Sequence, residues 1–443
     1  MSFEYVIIDP HIGYGPAMMR RMWTRWQARA ICVFSNARQR RIARSRGLEI
    51  DPCDQVVAAH NIPSKGMGRF IEFLRVQHDV RAVLPHSEFT LSQADAVAVG
   101  LELPGWRAHV VPRFRNKYSL KAHLRQTDPE LRLNAFARVR SPEEVWARVR
   151  ASGCERFVLK PNDGFGNRHV RIFDADVSLV ELQHYWSTIK GRSILWEEYV
   201  GGCEFHCNGQ VDAHGGIQIV DVARYYYCSA NGRENLRRAV GQVRHGSDEF
   251  SSCEAYARRV IAASGLRKLP FHLELKIDER GPCLIECAAR LVGSNFAPIV
   301  NLLHDGRLDI FDLAAHHIAS EQPYPGPSIN WQIYNTGLMR KVMGTSERRE
   351  RLHDVSGLAD VEALPEFHTW LRRPFVGQKV RRTTDLAGFP YELLLRAESD
   401  ADLDHAMERV VRTLRWNERP ATPKLWATHA ARDLIAPLKK LWP

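Results

Sequence analysis

The sequence has no CxxC pair among its nine cysteines, and an odd count cannot close into a full set of disulfides. A disulfide scaffold is therefore not expected. The nearest approach to metal-ligand spacing is Cys203 with His206 and Cys207, plus Cys283 and Cys287. Structural zinc sites use tighter paired spacing, so reduced and partly buried thiols are the better reading. No uncharged apolar run reaches the roughly 18 residues that a membrane span needs. The longest, Ala94 to Leu103, contains Asp95 and Glu102. Near the N-terminus, Glu4 stands where a signal peptide would be basic, and the first apolar run enters Asp9 and Pro10 instead of a small-residue cleavage site. The expected setting is the cytoplasm. A GxGxxG fingerprint is also missing. The turn Gly13-Tyr14-Gly15-Pro16 breaks that pattern, which leaves a helix-entry turn as the better reading.

What the sequence does have is a surplus of positive charge, with 62 Lys and Arg against 51 Asp and Glu, a net +11. The surplus is spread over stretches that read as helical, RQRRIARSR, SERRERL and KVRR, and no RNA- or DNA-binding motif accompanies it. Nucleic acid is therefore not an expected partner. A solvated surface plus a site for a polyanionic ligand accounts for the charge. With 443 residues, 44% hydrophobic and 26% charged, the chain should fold into several globular units.

Residues 1 to about 110 alternate short apolar runs with helical patterns. Strands are expected at Tyr5–Ile8, Ala30–Phe34, Gln55–Ala58 and Ala82–Leu84, and helices at Ala17–Arg29, Arg38–Arg46, Gly68–His78 and Thr90–Gly100. That alternation predicts a parallel α/β sheet. Met18, Met22, Trp23 and Trp26 recur at helical spacing and read as core. A further helix should start at Ser141, with Pro142 and the acids Glu143 and Glu144 in its first turn.

From Phe157 to Arg290 short apolar strands end in charged groups. Phe157–Lys160 leads into a loop with Gly164 and Gly166 and then a second strand, Val170–Phe173. Such a hairpin tip lets backbone N–H groups approach phosphate oxygens unobstructed, with Lys160 supplying a point charge. Ile194–Trp196 runs into Glu197 and Glu198, and Glu204 follows the Gly201-Gly202 turn. Carboxylates beside an apolar strand need partners, and an amino group or sugar hydroxyls would serve. In FHLELKIDERGPCLIECAAR two strands flank a turn, and period-2 alternation places His272, Glu274 and Lys276 on one face. Cross-strand pairing can bring Glu274 opposite Glu286, and two facing carboxylates are best reconciled by a hard divalent ion. Arg290 lies just beyond.

Together these segments resemble the ATP-grasp superfamily of carboxylate–amine ligases, over roughly residues 1 to 400. The resemblance implies an α/β and α+β architecture: an N-terminal parallel α/β domain at 1–112, a small lid subdomain at 113–200, a C-terminal catalytic α+β subdomain at 201–330, an appended subdomain at 331–420 and a helical tail at 421–443. It implies ATP and magnesium, with manganese as a substitute. Lys117 and Lys160 resemble the phosphate-contacting lysines, and Gly164 and Gly166 lie in the phosphate loop, which here reads GNRH. Glu197 to Val200, including Glu198, resembles the hinge beside adenine, Glu204 the ribose-binding acid, and Glu274 and Glu286 the magnesium ligands. The H-x-E followed by E-x-A-A-R is similar to L-amino-acid ligases of the dipeptide-forming, bacilysin-synthetase type. Arg290 would then hold an acyl phosphate, with Gly293 and Ser294 at the substrate. Ser294 stands where that type carries tryptophan, which implies a roomier pocket.

The activity so implied is a ligase that phosphorylates a carboxylate and joins it to an amine, with Arg290, Lys160 and Glu274 as catalytic groups. Homodimers are common in that superfamily. One alternative is an ATP-grasp carboxylase or another ligase with a different acceptor, although no Met-Lys-Met biotin-carrier triplet is present. Another is a nucleotide-binding module without catalysis.

Overall fold

The computed structural model describes residues 3–48, 51–63, 66–164, 166–189, 191–386 and 388–417. The tail expected at 421–443 and Phe165 of the glycine loop lie outside the described residues. The N-terminal segment contains strands β1 (Glu4–Ile8), β2 (Arg29–Phe34), β3 (Val56–Asn61) and β4 (Val80–Leu84), all parallel, in the order β3-β2-β1-β4. Val6, Ile7 and Ile8 are wholly buried because helices cover both faces of the sheet, as a parallel sheet requires. The turn into the helix Gly15–Trp26 explains its glycines: a Cβ on Gly15 would lie 2.1 Å from the carbonyl oxygen of Pro10. Met18 and Met22 are core, and Trp26 stacks on His316 with ring centroids 5.9 Å apart.

A second sheet follows. Strands β5 (Phe136–Val139), β6 (Arg156–Pro161), β7 (Arg171–Asp174) and β8 (Ile194–Glu198) pair antiparallel in the order β5-β8-β6-β7. Helices Pro142–Ser152 and Leu179–Ile189 cover it, and Val145, Phe157, Trp196 and Tyr185 form its own core. Ser141 caps the first helix by accepting from the Glu144 N–H, while the Glu144 carboxylate accepts from the Arg140 N–H, a reciprocal cap at the expected start.

The third sheet organises the rest of the chain. It takes in β9 (Cys203–Val211), β10 (Ile217–Ala230), β11 (Arg233–Gln242), β12 (Pro270–Asp278) and β13 (Gly281–Ala288), then β14 (Leu338–Met343). After β15 (Glu350–Arg351) and β16 (Val355–Ser356) come β17 (Phe367–Arg372), β18 (Lys379–Val380), β19 (Glu392–Ala397) and β20 (Arg415–Trp416). Eight of these form one antiparallel sheet, β13-β12-β9-β10-β11-β14-β19-β17. The segment after residue 331 thus extends the central sheet through β14, β17 and β19, and the helix Asp400–Thr413 packs its apolar stripe on it. Two basic runs read as helical, SERRERL and KVRR, are not helices. Each contributes two residues to the antiparallel pair β15–β18, since neither run carries an apolar stripe for a helix to bury. Among the described residues no helix is long and apolar enough to cross a membrane.

Candidate active site

Between the lid sheet and the upper face of the large sheet lies a cleft of about 990 Å³. Every site residue chosen from sequence lines it: Lys117, Lys160, Gly164, Gly166, Glu197, Glu198, Val200, Glu204, Glu274, Glu286, Arg290, Gly293 and Ser294.

The floor is set by strand register. Glu274 on β12 pairs directly with Glu286 on β13, as alternation predicts. Burial raises the Glu274 carboxyl, but the hydrogen bond from His272, the Arg237 guanidinium and the Tyr225 hydroxyl outweigh it and hold the group well below the usual carboxylate range. Tyr225 Oη donates to Glu274 Oε1 at 2.9 Å, and Arg237 Nη2 lies 3.4 Å from the same oxygen. Burial pushes the Glu286 carboxyl up, with Lys117 opposing and Glu274 adding to the rise. The pair is therefore one firmly ionised carboxylate and one that needs more positive charge beside it, a good fit to a hard divalent cation. Among the described residues no three His, Cys, Asp or Glu side chains converge into a complete metal cage.

The roof supplies cations. Asn116 caps the helix Lys117–Thr127 by accepting from the Ser119 N–H, which sets Lys117 at its first turn. Lys117 Nζ donates to the Gly164 carbonyl at 2.7 Å and lies 3.3 Å from Glu286 Oε2, joining the glycine loop to the carboxylate pair. Lys160, at the end of β6, donates to the Ile285 carbonyl at 3.2 Å and pairs with Glu197 at 2.5 Å. The Glu197 carboxylate, only 2% exposed, is inserted between Lys160 and the equally hidden Lys121. The structure thus aims it at the lysines, where it orients Lys160. Glu198 instead pairs with Arg280 at 3.3 Å, and the Val200 carbonyl accepts from Lys276 Nζ at 2.9 Å. Glu204 accepts from Tyr227 Oη at 2.7 Å.

Arg290 comes from the loop after β13. Its Nε donates to Glu88 and its Nη1 to the Leu291 carbonyl at 2.8 Å. Glu88 also receives Arg115; burial raises its carboxyl, but Arg290 and Arg115 prevail and keep it ionised. The next turn holds Ser294 and Asn295 at φ 55° and 57°, a left-handed pair braced by Lys341 Nζ on the Ser294 carbonyl. Lys341 is in turn 2.6 Å from Glu392.

Glu88, Lys121, Arg237, Lys341 and Glu392 were missed from sequence. Glu88 had a signal, because it follows the carboxyl end of β4, where ligand crevices of parallel sheets open. For Lys341, burial of all six residues of LMRKVM was hidden by its two central cations. Arg340 faces Asp400 and Asp404 on one side of the sheet, and Lys341 faces the cleft on the other. Cys207, Cys283 and Cys287 are buried thiols raised chiefly by burial, not nucleophiles.

Residues 155–298 match the ATP-grasp domain family. Solved structures of similar fold include an L-amino acid ligase from Bacillus licheniformis, 16% identical, covering 94% of this chain and 98% of that one, with a TM-score of 0.66. The phosphoribosylglycinamide synthetase of Anaerococcus prevotii is 11% identical, with 94% and 99% covered and a TM-score of 0.61. The biotin carboxylase domain of the 2-oxoglutarate carboxylase of Hydrogenobacter thermophilus, in complex with MgADP, ADP and bicarbonate, is 14% identical, with 94% and 91% covered and a TM-score of 0.61. No curated protein matches the chain by sequence.

Proposed function

We propose that this chain is an ATP- and magnesium-dependent ligase that activates a carboxylate as an acyl phosphate and joins it to an amine, with amino-acid-like substrates, releasing ADP and phosphate. The observation that carries this reading is the opposed Glu274–Glu286 pair with Lys117, Lys160 and Arg290 around it in one cleft. A binding module has no need of such a set. Bound at Glu274 and Glu286, magnesium would supply the charge neutralisation that phosphoryl transfer requires.

The chain's own groups do the rest. Lys160, held above the ordinary lysine range because its pairing with Glu197 outweighs burial, remains cationic and faces the phosphates as a fixed charge. Lys117 holds the Gly164 carbonyl, so the loop's backbone follows the phosphates it covers. Arg290 has Nε and Nη1 committed to Glu88 and Leu291, which aims its remaining N–H groups at the anion that develops when the acyl carbon is attacked. Because attack is on an activated acyl group by the amine itself, no protein nucleophile is needed.

Phosphate release with ATP and magnesium, across all pairs of the twenty amino acids and with bicarbonate alone, tests the proposal when product masses are read in parallel. The expected result is ADP in step with a product equal to two amino acids less one water. Release stimulated by bicarbonate alone would favour a carboxylase, and tight ATP binding without release for any carboxylate would overturn the ligase reading. For Lys160→Ala, nucleotide affinity should fall about 10- to 100-fold, the worth of one charged hydrogen bond. Glu197 keeps Lys121 as a partner, so the fold survives. Isothermal titration with ATP checks this, and unchanged affinity would count against the role of Lys160.

A further inference from the structure

The segment after residue 331 places a cationic corner in the cleft that the mechanism above does not use. Arg372, on β17, stands directly opposite Glu392 on β19, and Met343, on β14, pairs with Glu392 from the other side. Alternation puts Lys341 on the same face as Met343, and all four side chains line the cleft. The Glu392 carboxylate lies 2.6 Å from Lys341 Nζ and 3.3 Å from Arg372 Nη2. Burial would raise this carboxyl, but Lys341 and Arg372 prevail and keep it ionised. Two cations thus share one carboxylate, which leaves one positive charge over. Lys341 is 2% exposed and spends its ammonium on Glu392 and the Ser294 carbonyl, so the surplus is presented by Arg372, whose side chain is 45% exposed. Arg372 Nη1 donates to the Phe389 carbonyl at 2.8 Å, which fixes the guanidinium and leaves further N–H groups of the fork for a ligand.

This corner adjoins the acyl end of the site. Lys341 holds the carbonyl of Ser294, in the turn that follows Arg290. Tyr14, a cleft-lining phenol raised chiefly by burial, lies within electrostatic reach of both Arg290 and Glu392. The same sharing occurs at Glu88, between Arg290 and Arg115, so the wall offers two places where an anion meets unspent positive charge. Arg290 serves the acyl phosphate. In peptide-bond formation the donor's carboxylate is consumed there, whereas the acceptor's own carboxylate survives into the product. An intact carboxylate in a cleft that already holds Glu88, Glu274 and Glu286 needs a cation of its own.

We infer that Arg372, backed by Lys341, selects the acceptor: its fork binds the free α-carboxylate of the amine that attacks the acyl phosphate, so the acceptor is an amino acid and not a simple amine; this rests on the ligase reading above. Two parallel N–H groups meet a planar carboxylate, a match that a single ammonium does not give. Glu392 and the Phe389 carbonyl hold the guanidinium in place for it. Met343 and Phe389, which line the cleft beside it, give the acceptor's side chain an apolar wall.

The experiment compares wild type, Arg372→Ala and Arg372→Lys under ATP and magnesium, with each of the twenty amino acids as acceptor and with its carboxamide. Hydroxylamine, which captures an acyl phosphate and has no carboxylate, is the third acceptor for wild type. From wild type to R372A, kcat/KM for the amino acid should fall about 10- to 100-fold relative to that for the carboxamide, the worth of a hydrogen bond to a charged group, with the loss in KM. R372K should recover part of the preference, because it restores the charge without the fork. Arg372 sits on the edge strand and Glu392 keeps Lys341, so both variants fold. A ratio that does not move, or amino acid and carboxamide losing equally, would overturn the inference. Wild type that forms hydroxamate but no peptide, or that uses carboxamides as readily as amino acids, would overturn it and leave acyl-phosphate formation standing. Wild type that forms neither peptide nor hydroxamate from any carboxylate would overturn the ligase reading and this inference with it.

Discussion

A Glu286→Gln variant is expected to keep its fold and to lose about 1,000-fold or more of its ATP turnover, the several kcal/mol of transition-state charge stabilisation that a catalytic metal supplies. The substitution keeps the shape of the side chain and removes only the charge. Lys117, the nearest cation at 3.3 Å, retains the Gly164 carbonyl, so no buried ammonium is left without a partner. Glu274 remains, still held by Tyr225 and Arg237, but one carboxylate is half of the charge a divalent ion meets here. Two measurements check this. Steady-state ADP release gives the loss of turnover, and paramagnetic titration with manganese reads the metal site directly, with affinity expected to drop alongside. An unchanged thermal unfolding transition would show that the loss is not one of fold. Full ADP release by this variant would overturn the assignment of the metal to the pair.

That Glu274 and Glu286 could meet was legible in the sequence from strand alternation, but the turn that pairs Asp278 with Gly281 would alone set Glu274 opposite Ile285, and a bulge between Glu274 and Leu275 shifts the ladder by one residue to bring Glu286 there. Local signals also sufficed for the parallel N-terminal sheet, the glycine hairpin of the lid and the helix that starts at Ser141. What escaped were groups whose meaning depends on distant partners. Glu88 and Arg290 are 202 residues apart, and Lys121 and Glu197 are 76 apart. The sheet extension through β14 escaped for the same reason. Its strand pairs with β11 across 99 to 103 residues, and a run containing Arg340 and Lys341 does not read as buried until Asp404 and Glu392 are brought to it. Glu197 shows the intermediate case: a buried acid at a strand end was recognised as needing a donor, but nothing local says that two lysines supply it.

Those two lysines make Glu197→Gln the variant with the largest expected loss of stability. Lys121, Lys160 and Glu197 are 1%, 5% and 2% exposed. One carboxylate serves two ammonium groups, and the share is unequal. Burial dominates at Lys121 and lowers it, whereas at Lys160 the attraction of Glu197 overcomes burial and raises it. Removing the carboxylate between them leaves both buried cations hydrogen-bonded only to neutral acceptors among the described residues, Asn134 Oδ1 for Lys121 and the Ile285 carbonyl for Lys160, and breaking a buried pair in this way typically costs about 3–5 kcal/mol. Urea unfolding should show the free energy of unfolding falling by that amount, through a lower midpoint at unchanged slope. The neighbouring Glu198→Gln gives the contrast, because its partner Arg280 is half exposed and such surface pairs are worth about 0–1 kcal/mol. The gap between wild type and E197Q also has a defined pH dependence. Burial alone would raise the Glu197 carboxyl, but Lys121 and Lys160 together hold it below the ordinary range. Its contribution is therefore complete above the unfolded value of about 4.3 and drains away as the pH falls through the lower folded value. The two chains should approach each other in stability in acid and differ most near neutrality. An equal urea midpoint for wild type and E197Q at neutral pH would mean that the two lysines do not depend on Glu197 for their charge.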